Sequence, residues 1–180
     1  MEGQFVRPTS YVATVTSHRA VCDDMSPLAL ARYFGELRGL DERQAAAKVV
    51  VEHVFERVRM QIDARLPSRL SCIYVCQGAD VAILWNRELP GTVVYTCEVV
   101  GWWAQVDANK IGEARARLDP DQPSPDAVES ALLEMERVAK TYRNHEMGNP
   151  FLPELLISGA ARIVTRMDPV ALPSPNRFSD

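Results

Sequence analysis

An apolar run late in the chain, Leu155 to Val164, is introduced by Pro153 and Glu154. It reads Leu-Leu-Ile-Ser-Gly-Ala-Ala-Arg-Ile-Val, aliphatic at first and β-branched toward its end. A proline that cannot donate to a ladder opens it, so the pattern predicts a strand that closes the fold. A single carboxylate therefore stands at the mouth of a packed strand. Most strand-end carboxylates only meet water, so any special role for Glu154 depends on what the rest of the chain brings to it.

Upstream, Tyr11 to Thr16 alternates β-branched and small residues, which predicts a first strand. Ser26-Pro27 is a helix start, with Ser as cap and Pro at the first helical position, and Gly39 would end that helix. Asp41 with Gln44 resembles a capping box for a longer helix, whose stripe is Val50, Val54 and Val58, widened by Val51 and Phe55. Pro67 sets the next boundary, and Leu70 to Val75 reads as a buried strand. A short helix follows from Gly78-Ala79-Asp80 to Trp85. Thr92 to Val100 is a strong strand, continued by Trp102 to Val106 beyond a bulge at Gly101. Pro120, Pro123 and Pro125 make a loop. Val128, Leu132, Met135, Val138, Ala139 and Tyr142 mark an amphipathic helix, and residues 144–153 a polar loop. Strands and helices do not alternate as a doubly wound sheet requires. The expected class is α+β: a mainly antiparallel sheet flanked by helices, in one domain over residues 1–180, with a core of about 11–167 and tails at 1–10 and 168–180.

Composition narrows the function classes. A chain of 180 residues with 47% hydrophobic content can bury a core, and its net charge of −4 gives no general nucleic-acid footprint. Arg57, Arg59, Arg65 and Arg69 form a local basic cluster. Cys72, Cys76 and Cys97 fall in apolar runs and read as free thiols, whereas Cys22 lies in a loop. Their spacing and the scattered histidines point to no metal site and no disulfide. The first residues lack a basic and an apolar region, and no apolar run approaches the ~20 residues that span a bilayer. A soluble, cytoplasmic protein is expected, without membrane partners; export as an effector by a route the sequence does not show stays open.

There is no G-x-G-x-x-G, no P-loop and no G-x-S-x-G elbow. What the chain offers instead is Thr14-Val15-Thr16-Ser17-His18-Arg19, then Pro67-Ser68-Arg69-Leu70-Ser71-Cys72-Ile73-Tyr74-Val75, then Pro153-Glu154-Leu155-Leu156-Ile157-Ser158-Gly159. In that order these segments resemble the ADP-ribosyltransferase superfamily, over residues 11 to 167. Within it they are similar to a small bacterial group in which Pro-Ser-Arg precedes the second motif. The resemblance implies a split sheet that binds NAD in a cleft without a Rossmann motif. It implies His18 or Arg19 as the first-motif residue, Ser71 or Tyr74 as the second, and Glu154 as the catalytic third, with Ser68 and Arg69 also on the NAD side. His18 would hydrogen-bond the adenosine ribose, an arginine would pair with the pyrophosphate, and Tyr74 would give the nicotinamide a flat face.

The chemistry suits those residue types. Breaking the nicotinamide–ribose bond develops positive charge on the sugar, and a fixed carboxylate stabilises that charge more in the transition state than in the ground state. Transferases that modify arginine carry Glu or Gln two residues before the catalytic Glu. Here that position is Leu152, which speaks against an arginine acceptor. The implied activity is NAD-dependent mono-ADP-ribosyl transfer to a macromolecular acceptor, protein or nucleic acid, as a toxin, effector or defence enzyme. NAD is the co-substrate and no metal is involved. Two rivals stand beside it: an NAD glycohydrolase on the same fold, and a catalytically silent domain that binds a nucleotide or a protein. Loops 104–125 and 144–153 would set the acceptor.

Overall fold

A computed structural model describes residues 3–6, 25–88, 93–118, 124–143 and 152–167. The architecture is α+β. In chain order the elements are β1 (Phe5–Val6), α1 (Pro27–Glu36), α2 (Leu40–Ile62), β2 (Ile73–Val75), α3 (Ala79–Glu88), β3 (Tyr95–Asp107), α4 (Asn109–Arg115), α5 (Pro125–Arg143) and β4 (Pro153–Arg166).

The Pro153–Arg166 strand is the axis of the sheet, and every pairing is antiparallel. One edge of β4 carries β3 along its whole length, from Tyr95↔Arg166 to Asp107↔Pro153. The other edge is shared end to end: β2 pairs with Leu155–Ile157, and β1 with Ala161 and Arg162. The lead-in at residues 1–10 thus holds a strand that its sequence does not announce. Gly3 donates to the Ile163 carbonyl at 2.8 Å, and Ile163 donates to that of Gln4 at 2.9 Å. The strand expected at Tyr11–Thr16, His18, Arg19 and Cys22 lies outside the described residues.

The helical predictions need local corrections. Ser26 caps α1 as expected, its Oγ accepting from Ala29 N at 3.3 Å. The capping box at Asp41 does not form: α2 is capped two residues earlier, by Gly39, which offers no side chain. The second-motif strand is only Ile73–Val75, because residues 64–71 are spent on a turn. The loop expected across 104–125 contains α4, launched where the Asp107 carboxylate accepts from Asn109 N at 3.1 Å.

The core lies between the helices and one face of the sheet's first half. Phe34, Val50, Val54, Phe55, Val58, Met135, Val138 and Tyr142 are sealed together with Val106 and Leu156. Phe55 meets the Tyr142 ring edge-on at 5.0 Å between centroids. Beyond Gly159 the burial of β4 switches sides: Leu156 is buried and Ser158 exposed, then Ala161 and Ile163 are buried and Arg162 exposed.

A bend accompanies that switch. Leu155 and Met167 line one cavity, although a straight strand would hold them ~40 Å apart at ~3.3 Å per residue. The β3–β4 ribbon must therefore fold on itself. Its midpoint is Gly101↔Gly159, where the backbones touch. A Cβ at 101 would stand 2.3 Å from the Ser158 carbonyl oxygen, and one at 159 would stand 2.1 Å from that of Val100. Gly101 also has φ +137°, a conformation that L side chains avoid. The irregularity in pairing falls at Thr96/Cys97, not at Gly101 as the sequence suggested.

Candidate functional site

Where the ribbon folds back it faces β2 and α3 across a half-open cavity of about 520 Å³. Tyr74, Trp85, Tyr95, Cys97 and Glu154 are among the residues that line it. The pairing register explains why Tyr74 and Glu154 share a face. Tyr74 lies directly opposite Leu156 on β4, and Glu154 is two residues from Leu156, so all three side chains project to one side. Trp85 fastens α3 to the strand mouth, its Nε1 donating to the Pro153 carbonyl at 3.3 Å.

Behind Glu154 is a buried ionic array. Arg69 donates through Nε and Nη2 to the two oxygens of Glu52, at 3.0 and 3.2 Å. Its Nη1 donates to Glu154 Oε2 at 2.8 Å and to the Tyr142 hydroxyl at 2.8 Å. The guanidinium lies 5.0 Å from the Tyr74 ring centroid and 5.6 Å from that of Tyr142. Burial alone would lower its pKa. Tyr142, Glu52 and Glu154 around it outweigh burial and hold its pKa well above the usual value. Burial drives the Glu154 carboxyl up from its ordinary range, Arg69 opposes the rise, and Glu52 adds to it. The second oxygen of Glu154 accepts no hydrogen bond among the described residues, and the residue lines the cavity.

The turn that carries Arg69 is clamped from several sides. Arg59 grips Glu56 with Nε at 3.0 Å and Nη2 at 2.7 Å, and its Nη1 reaches the carbonyls of Ala64 and Leu66. Ser68 donates to Glu56 at 2.8 Å and accepts from Leu70 N at 3.2 Å. Arg143 donates to the Pro67 carbonyl at 3.0 Å. Tyr74 closes the turn by donating its hydroxyl to the Arg69 carbonyl.

Of the residues that sequence reasoning nominated, Tyr74 and Glu154 meet on the cavity. Arg69 is joined to both but points into the protein. Ser68 is turned to Glu56, and Ser71 sits exposed ahead of the strand, away from the cavity walls. Glu52, Tyr142 and Trp85 were missed as partners of the site. A signal for Tyr142 existed: a tyrosine on the apolar stripe of a helix needs a partner for its hydroxyl. Glu52 and Trp85 carried no such local sign. Among the described residues no group of His, Cys, Asp or Glu could hold a metal ion. None of the described helices is long and apolar enough to cross a membrane.

A protein-family model described as "Protein of unknown function (DUF2441)" matches residues 28–169. The chain belongs to the DUF2441 family. The matched span holds Glu52, Arg69, Tyr74, Tyr142 and Glu154, and leaves out His18 and Arg19. A search of curated proteins gives no match.

Proposed function

We propose that this DUF2441 protein is an NAD-dependent mono-ADP-ribosyltransferase. The observation that carries the reading is the meeting of Tyr74 and Glu154 on one cavity at the fold of the sheet. A volume of about 520 Å³ suits a ligand-sized group, enough for the nicotinamide and its ribose. Tyr74 would stack on the nicotinamide, in a cavity that Trp85 also lines. Glu154, with Oε2 held by Arg69, would offer Oε1 to the sugar as positive charge develops there. The walls are mainly apolar, and a fixed carboxylate acts more strongly the less water lies between it and the charge.

Leu152 occupies the position two before Glu154 and gives its backbone to Asp107, the N–H donating to Oδ1 at 3.1 Å. An apolar side chain there favours an acceptor other than arginine. The silent-domain reading draws on one observation, that Arg69 neutralises the same carboxylate. The unpaired Oε1 weighs against it.

The test is incubation with labelled NAD and a cell lysate, following released nicotinamide and label on macromolecules. Glu154→Gln keeps the volume and removes the charge. Nicotinamide release should fall by roughly a hundredfold or more while the variant still melts cooperatively. Release without label on any macromolecule identifies the glycohydrolase. Release unchanged in Glu154→Gln, or absent from the native protein, overturns the transferase.

A further inference from the structure

We propose that Arg69 is a positioning residue for Glu154, and that Glu52 is the anchor that keeps Arg69 from covering it. The catalytic consequence rests on the transferase reading; the geometric claim does not.

The argument is one of donors and acceptors. A guanidinium has five N–H groups in a rigid plane. Here the edge formed by Nε and Nη2 is taken by both oxygens of Glu52, at 3.0 and 3.2 Å. The two hydrogens of Nη1 are divided between Glu154 Oε2 and the Tyr142 hydroxyl, both at 2.8 Å. Glu154 is thus contacted end-on, by one nitrogen and through one oxygen. Planar, two-point pairing is the stronger mode for Arg and carboxylate. A guanidinium has two such edges: Glu52 holds the Nε–Nη2 one, and with Nη1 divided between Tyr142 and Glu154 the other gives Glu154 a single contact. Four elements set the arrangement: Glu52 on α2, Arg69 on the turn after it, Tyr142 on α5 and Glu154 on β4. The aromatic faces of Tyr74 and Tyr142 restrict the guanidinium plane further.

Removing the charge of Glu52 frees that edge. In Glu52→Gln the guanidinium turns toward the one remaining carboxylate and engages both its oxygens. Oε1, which accepts no hydrogen bond among the described residues, is then engaged as well. The groups facing this carboxylate are Arg69, Glu52, Tyr142, Tyr74 and Cys72, with Arg143 beyond them. Only Glu52 changes in the variant.

The experiment follows the Glu154 carboxyl by carbon NMR in protein labelled at glutamate side chains, the signal being assigned by its loss in Glu154→Gln. In Glu52→Gln the midpoint of that titration should fall by about one pH unit or more beyond the fall that the same substitution gives in an Arg69→Gln background, where only the charge of Glu52 is lost. In Arg69→Lys it should rise, since a point charge cannot serve Glu52, Tyr142 and Glu154 together. Nicotinamide release should drop by about a hundredfold in Glu52→Gln, with KM for NAD little changed. A fall in Glu52→Gln no larger than in the Arg69→Gln background overturns the anchor, whatever the activity. A native protein that releases no nicotinamide, with the titration shifted as stated, overturns the transferase and leaves the anchor standing.

Discussion

Glu56 and Glu154 show how the same side chain takes opposite electrostatic roles. Burial would raise Glu56, but hydrogen bonds from Arg59 and Ser68 outweigh it and hold it below its ordinary value. At Glu154 burial prevails over Arg69 and the carboxyl is raised. The linkage signs follow. A lowered carboxyl contributes stability above its unfolded pKa and loses it as pH falls through the folded pKa. A raised carboxyl does the reverse: its contribution is full below the unfolded pKa and is lost as pH rises through the folded one. Glu56→Gln should therefore lower the melting temperature near pH 7, and the deficit should shrink on acidification. Glu154→Gln should melt progressively better relative to the native protein as pH rises from about 4 through the raised folded-state pKa. Thermal melts of both variants across that range check the pair. Parallel curves would mean that neither carboxyl is perturbed. The contrast was not legible in the sequence, where Glu56 is a helix charge beside the valine stripe and Glu154 a strand-end charge.

Among the elements, the β3–β4 ribbon decides most. Its two strands were legible from their aliphatic and β-branched runs, because strand character is written in consecutive side chains. Its bend was not. Gly101 suggested a bulge, but the glycine stands in register opposite Gly159 and the bend needs both. The contact is between backbones whose glycines are 58 residues apart in sequence (159 less 101). Gly159→Ala should destabilise the protein by more than about 1 kcal/mol, since its Cβ meets the Val100 carbonyl oxygen at 2.1 Å. It should also open the cavity, because the bend brings Tyr95 and Cys97 over Tyr74 and Glu154. Denaturant unfolding measures the first effect, and quenching of Trp85 fluorescence the second. An unchanged unfolding midpoint would show that the ribbon accommodates the methyl group. The missed helix α4 has a related cause: it spans only Asn109–Arg115, too short to display a periodic stripe.

At the scale of the whole molecule, the helix layer and the site share one support. Phe55 packs edge-on against Tyr142, and the Tyr142 hydroxyl receives Arg69. Phe55→Ala should cost about 3–5 kcal/mol and loosen the array that holds Glu154, although Phe55 is no part of the cavity wall. Chemical denaturation together with the Glu154 titration described above would test both; a full loss of stability with an unmoved titration would uncouple core from site. By itself the sequence determined the α+β class, the Ser26 cap, the apolar stripes of α2 and α5, the two long strands, and the nomination of Tyr74 and Glu154. Each is a matter of residue type and local spacing, which the chain carries wherever it folds. Only the tertiary structure decided which charges meet. Arg69 finds Glu52 across 17 residues, Tyr142 across 73 and Glu154 across 85. Those choices belong to packing, because a buried guanidinium takes whatever acceptors the closing core leaves within reach, and no spacing along the chain records them.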